Sequence, residues 1–262
     1  MSMVPSAYVG LWRRDELVDA QGVRDDTTEV YWLQSHGLYV DLRIPAGRPD
    51  FRLDWLVADC PPHHREWLSR QEGFAGVLDV QGDLCHWQRD LDLQPPGAFE
   101  DRGRIEFLDQ VHMIETGTLV DYVERWRKTT PVNEQRVLAM RMKPSSRARA
   151  GVFVAVGNDF MYAIDWQGEI PLRGRDIEGS VSEQSRFRGC EIGYGHIWGS
   201  QPWIIERSSL PIVEGSRLLP PSVTIPAAGT DWSPPLGSVL RDTSAVWTIL
   251  EHAYPTLLTA EG

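Results

Sequence analysis

The side chains best equipped for chemistry in this chain are charged groups set inside strand-like rows. In Leu38-Tyr39-Val40-Asp41-Leu42-Arg43-Ile44, successive side chains point to opposite faces. Leu38, Val40, Leu42 and Ile44 therefore form one row, and Tyr39, Asp41 and Arg43 the other. On this strand alone the aliphatic row reads as core and the polar row as solvent-facing. Two other stretches point the opposite way. Trp87 and Arg89 share a row with Cys85, Leu91 and Leu93, and Tyr122, Glu124 and Trp126 share another with Val120. In both, the aromatic bulk travels with a charge. Burying a charge alone costs several kcal/mol, so an inward charge needs a partner or a ligand. An Arg89–Glu124 pair is the simplest solution.

Three functions follow from these groups. In the first, Arg43 and Arg89 hold an anionic group such as a carboxylate by forked hydrogen bonds. Asp41, Tyr39, Trp32, Trp87, Tyr122 and Trp126 then complete a pocket for an aromatic or apolar body. In the second, the same pocket is a cofactor-free lyase, isomerase or hydrolase. Glu115 or Glu124 is its general base, and Arg43 stabilises developing negative charge. In the third, the Arg–Glu pairs only set strand register, and the protein is structural or partner-binding.

Other constellations are weaker. Cys60-Pro61-Pro62-His63-His64 offers soft and imidazole ligands, but neighbouring histidines diverge on a helix and no second cluster stands nearby. It reads as a solvated helix start, and no metal is expected. His112, three residues before Glu115, could carry a proton or ligate haem, but Met113 and Ile114 beside it favour an ordinary half-buried histidine. The chain lacks GxGxxG after a strand, GxxxxGK[ST], HExxH, GxSxG and paired CxxC. Nucleotide-fold enzymes, zincins, nucleophile-elbow hydrolases and zinc modules are therefore disfavoured, and no cofactor is expected.

The elements that must position these side chains are mostly strands. Glu29–Gln34 is β-branched and aromatic, Ser35-His36-Gly37 turns the chain, and Leu38–Pro45 alternates, which together make a hairpin. Gly73–Val80, a turn at Gln81-Gly82-Asp83 and Leu84–Leu93 make a second. Arg104–Leu108, Val111–Glu115 and Thr118–Trp126 continue the series, and Pro61–Gln71 is a helix candidate between the hairpins. Arg127–Asn133 looks like a joint. Beyond it come Gln135–Met142, Gly151–Val156, Phe160–Trp166, Arg186–Ile192 and Pro202–Glu206. Val239, Thr243, Val246, Trp247, Leu250 and Tyr254 recur at helical spacing, so a carboxyl-terminal helix capped by Ser233 is expected.

Composition bounds the class. With 262 residues, 42% hydrophobic and 24% charged, the chain is globular and long enough for one large domain or two small ones. No apolar run approaches the roughly 18–20 residues of a spanning helix, and Met1–Pro5 shows no secretory signal. Three widely spaced cysteines do not form a disulfide framework. A net charge of −11 opposes attachment to nucleic acid or anionic lipid. A cytoplasmic protein, with a small molecule as partner and a homodimer compatible, is the expectation.

The halves also echo each other. Phe74-Ala75-Gly76 precedes Trp87, and Phe187-Arg188-Gly189 precedes Trp203, with Asp90 and Glu206 each three residues after their tryptophan. A tandem duplication is one reading; two unrelated Trp-bearing hairpins is the other. The expected fold is all-β: two calycin-like antiparallel barrels, residues 1–130 carrying the site and residues 131–262 a smaller or divergent barrel ending in the helix.

Separated motifs carry a family resemblance. They are Trp12-Arg13-Arg14, Asp26–Gln34, Tyr39–Pro45, Gln71–Gly76, Trp87-Gln88-Arg89, Met113–Gly117 and Tyr122–Trp126. Over residues 9–126 the chain resembles the Hri-one family, typified by a fungal casein-kinase-interacting protein. The resemblance implies two unequal barrels of lipocalin- or nitrobindin-like form and brings no catalytic mechanism with it.

Overall fold

The computed structural model describes residues 3–51, 60–94, 97–145, 148–166, 190–199, 202–234, 245–254 and 257–258. The first sheet runs β1 (Gly10–Asp19), β2 (Arg24–Asp25), β3 (Glu29–Gln34), β4 (Tyr39–Ile44), β5 (Glu72–Gln81), β6 (Leu84–Asp92), β7 (Arg102–Phe107), β8 (His112–Gly117) and β9 (Tyr122–Lys128). Consecutive strands pair antiparallel, except that β3 pairs with β1, and β1 returns to β9. That last pairing closes an eight-stranded barrel and leaves β2 as a two-residue flap on β1. Helix α1 (Pro62–Ser69) lies between β4 and β5, with proline in its first turn and Trp67 and Leu68 buried.

The strand β1 does not stand out in the sequence because Arg13-Arg14-Asp15-Glu16 breaks its apolar pattern. Pairing with β3 and β9 holds it, and a β-bulge between Arg14 and Glu16 re-aims its side chains.

The second sheet contains β10 (Val137–Met142), β11 (Ala148–Val156), β12 (Asp159–Trp166), β13 (Cys190–His196), β14 (Ile204–Ser208), β16 (Asp231–Trp232) and β17 (Trp247–His252). Its order is β14-β13-β12-β11-β10-β17-β16, and among the described residues its two edges do not pair with each other. Short strands β15 (Val223–Thr224) and β18 (Leu257–Leu258) pair separately. The expected terminal helix is corrected here. Trp247 and Ile249 are buried while Thr248 and Leu250 are not, a period of two, and the β-branched Val246, Thr248 and Ile249 suit a strand. Residues 235–244, with Val239 and Thr243, lie outside the described residues. So does Phe187-Arg188-Gly189; Trp87 sits within β6, but Trp203 occupies a turn at φ +63°, so the two tryptophans are not in equivalent places.

Among the described residues one apolar cluster spans both sheets, and a second, around Phe153, Phe160, Trp203 and Trp247, belongs to the second sheet and its loops. Tyr31, Val40 and Leu42 on the outer face of β3 and β4 belong to the same cluster as Val152, Val154, Ala163 and Ile192 of the second sheet. Tyr31 and Tyr194 meet with ring centroids 4.4 Å apart. At Gly73 an added Cβ would lie 2.8 Å from both the Asp41 carbonyl oxygen and Ile192 Cδ1, so only glycine fits. Glu251 reaches across to the β3–β4 turn and accepts from Ser35 Oγ (2.8 Å), His36 N (3.1 Å) and Gly37 N (2.7 Å). The aliphatic row of β4 is thus core, but against the second sheet, which leaves the opposite row for the barrel interior.

Candidate functional site

Cross-strand register builds the lumen. Trp12 faces Trp32, Trp32 faces Asp41, and Asp41 faces Phe74, one inward belt across β1, β3, β4 and β5. On the far wall Glu115 faces Glu124, and Met113 faces Trp126. Trp32 is the hub of the aromatic packing. Its ring centroid lies 6.3 Å from Trp12, 5.7 Å from Trp87 and 5.6 Å from Trp126, the last two edge-on.

Inside this cage runs a network of opposite charges. Arg14 Nη1 donates to Glu124 Oε1 at 2.7 Å, and its Nη2 donates to Asp25 Oδ2 at 2.8 Å. Arg43 Nε donates to Asp41 Oδ1 at 3.0 Å, and its Nη1 lies 3.5 Å from Glu124 Oε1. Glu124 is only 1% exposed and Asp41 2%. Tyr122 Oη donates to Glu115 Oε1 at 2.6 Å. Gly103 makes room for that carboxyl, since a Cβ there would meet Glu115 Cγ at 3.0 Å. Glu124 Oε2 and Trp126 Nε1 are buried with no hydrogen-bond partner among the described residues.

Burial next to like charge fixes the protonation pattern. Desolvation raises Glu115 well above the usual carboxylate range, the Glu124 charge adds to it, and the Tyr122 hydroxyl only partly opposes it. Desolvation lifts Asp41 to about 6 against the pull of Arg43. Desolvation likewise raises the Tyr122 phenol, helped by Glu115. A neutral acid beside a second carboxyl is an arrangement that can donate a proton.

The groups converge on one small void of about 10 Å³, lined by Trp32, Asp41, Arg43, Phe74, Trp87, Asp101, Glu115 and Trp126. That is room for about one water. Arg89 closes the rim. Its guanidinium stacks 3.6 Å over Phe74 and pairs with Asp101 at 2.6 Å and Asp92 at 3.0 Å.

Most of the residues singled out by sequence meet here, with one correction. Trp32, Trp87, Trp126, Asp41, Arg43 and Glu115 line the void; Glu124 and Tyr122 stand beside it; Tyr39 is fully buried one step along β4, against Phe74. The Arg89–Glu124 pair does not form. A bulge in the β5–β6 pairing at Asp90 breaks the row: Trp87 and Arg89 keep the lumen face opposite Leu78 and Gly76, Leu91 turns to the other face opposite Ala75, and Asp92 and Asp101 hold Arg89 at the rim. Arg14 takes its place on Glu124. The same association of tryptophan and charge, here Trp12 with Arg14, marks β1, so a signal for it existed. Asp25, Phe74 and Asp101 were also missed; their positions depend on pairings across the barrel. His112 is half-buried at the start of β8, as expected, with Nδ1 2.9 Å from Asp109 Oδ2 and on the face away from the buried Met113. His64 Nε2 lies 2.9 Å from the Asp50 carbonyl oxygen at the helix start.

Among solved structures, the chain is similar to the crystal structure of the uncharacterized protein YLR301w from Saccharomyces cerevisiae, with a TM-score of 0.55 and 14% identity. The match covers 93% of this chain and 98% of that one, and at this identity it shows the fold alone. No protein-family model and no curated protein matches the chain. No helix of the described residues is long and apolar enough to cross a membrane.

Proposed function

We propose that the amino-terminal barrel binds a small organic molecule at the Asp41–Arg43–Glu115 end of its lumen. The observation that carries this reading is the enclosed charge network itself. A barrel of eight strands can fill its interior with side chains alone, and aliphatic groups would do so at lower cost than charged ones. Here Arg14, Asp41 and Glu124 are buried and Arg43 is half-buried in one linked set of ion pairs, of which Asp41 and Arg43 line the void among the tryptophans. A ligand larger than water enters by displacing the rim. The Arg89–Asp101 pair is partly exposed, with side chains 33% and 20% accessible, so opening it is cheap compared with breaking the inner pairs.

The test is a fragment screen read on the indole signals of Trp32, Trp87 and Trp126 by NMR. Binding fragments should move these signals in the natural chain, and Arg89→Ala should bind them faster and admit acrylamide to the lumen tryptophans. A screen in which no fragment moves those signals, in either protein, refutes the reading.

A second reading is a cofactor-free lyase, isomerase or hydrolase, favoured by the Glu115–Glu124 juxtaposition. Burial makes Glu115 a general acid and not a base, which leaves Glu124 for the base role. Turnover that persists in both Glu115→Gln and Glu124→Gln removes it. We also infer that the second sheet completes a second, calycin-like barrel, as in the Hri-one family; the likeness to the yeast structure along nearly the whole chain supports this. Burial of Cys60, Cys85 and Cys190 outside any disulfide is compatible with a reducing, cytoplasmic setting.

A further inference from the structure

We propose that the lumen selects a small organic cation, an amine or quaternary ammonium group, over an anion; this rests on the binding reading above and gives it a ligand class. The two guanidinium groups expected to clamp an anion are already matched. Arg43 is held by Asp41 and Glu124, and Arg89 by Asp92 and Asp101. An arriving carboxylate would have to displace carboxylates that cannot leave.

The void is lined by Asp41, Asp101 and Glu115, the last kept neutral by burial, and by the guanidinium of Arg43; once Arg89 swings out from the rim, Asp101 loses its partner and offers a free carboxylate. Behind them Glu124 keeps one oxygen without a hydrogen-bond partner, although the residue is 1% exposed. The rest of the wall is aromatic. Trp32, Trp87 and Trp126 line the void with Phe74, and Trp87 and Trp126 both stand edge-on to Trp32, so the rings of the wall lie in differing planes. Electron-rich ring faces with carboxylates beside them attract an alkylammonium group and do nothing for an anion. Arg89 over Phe74 and Lys128 over Trp12 (4.8 Å) show the same chemistry with the chain's own cations. The geometry thus suggests that an incoming ammonium takes over the position that the Arg89 guanidinium holds on Phe74 and Asp101.

The experiment is titration calorimetry of the full chain with choline, its neutral isostere 3,3-dimethylbutanol, tetramethylammonium and benzoate, with tryptophan fluorescence as a second readout. The expected result is that choline and tetramethylammonium bind at least tenfold more tightly than the isostere and that benzoate does not bind. Asp101→Asn, at the partly exposed rim, should weaken the cations severalfold and leave the isostere unchanged; Glu124→Gln should do so more strongly if it folds. Equal binding of choline and the isostere, or preferential binding of benzoate, overturns the cation assignment and leaves the pocket reading standing. Silence from all four probes, together with silence in the fragment screen, overturns both.

Discussion

Replacing Arg14 by methionine tests whether the lumen network is held as described. The guanidinium is 5% exposed and bridges Glu124 at 2.7 Å and Asp25 at 2.8 Å. Asp25 is 29% exposed, so water replaces most of what it loses. Glu124 has no such recourse. It keeps only Arg43 at 3.5 Å, already engaged by Asp41. Removing one partner of a buried pair costs about 3–5 kcal/mol, chiefly because the remaining charge is uncompensated. With Arg43 retaining a share, the expected loss is about 3 kcal/mol, or roughly 6–12 °C in Tm for a chain of this size. Urea unfolding followed by tryptophan fluorescence reads it as a lower midpoint at constant slope. The double variant Arg14→Met/Glu124→Gln removes the stranded charge and should recover at least half of the loss. The deficit of the single variant should also shrink at low pH, where buried carboxylates are neutralised. A single-variant cost below about 1 kcal/mol, or a double variant as unstable as the sum of the two singles, would refute the network.

Other consequences are equally direct. Asp41, raised from 3.8 to about 6 in the folded chain, binds protons more tightly there than in the unfolded chain, so its contribution to stability is full below about pH 4 and lost as pH rises through 6. Those two units correspond to about 3 kcal/mol; Asp41→Asn should remove that slope from a urea-unfolding pH series, and an unchanged profile would contradict the assignment. Glu251→Ala breaks three charge-assisted hydrogen bonds to the β3–β4 turn and should cost about 1.5–3 kcal/mol by chemical unfolding. Gly73→Ala places a methyl 2.8 Å from Ile192 Cδ1 and should cost about 1–3 kcal/mol; Ile192→Val should return part of it, since that methyl is then gone.

The hairpins were legible because their signals are local. Glu29–Gln34 and Tyr39–Ile44 are β-branched and aromatic around a Ser-His-Gly turn, and the strand limits follow. The strand β1 was not, since its four successive charges look like a surface loop until β3 and β9 are laid on either side. The inward direction of Asp41 and Arg43 was undecidable from β4 alone. Both rows of that strand are covered, one by the lumen and one by Val152, Val154 and Ile192, and the second cover comes from residues more than a hundred positions away. The partner of Glu124 was misassigned for a related reason. Arg89 does keep the lumen face of Trp87, and the β5–β6 bulge turns only Leu91 beyond it away; what holds Arg89 at the rim is the pair of carboxylates Asp92 and Asp101, which alternation along the strand does not reveal. The carboxyl-terminal strand failed through Trp247 and Leu250, whose spacing of three also fits a helix; the alternation of Trp247 and Ile249 is the better guide.

Strands β3 and β4 have no water-facing side. Tyr31, Val40 and Leu42 would be bared if the barrel were cut free of the second sheet, and Ser35 and Gly37 would lose the carboxylate that caps their turn. The two sheets must therefore melt together. Heat or urea should dissolve the molecule in a single cooperative step, and an isolated fragment ending near Thr130 should clump through its bare hairpin instead of standing as a soluble barrel.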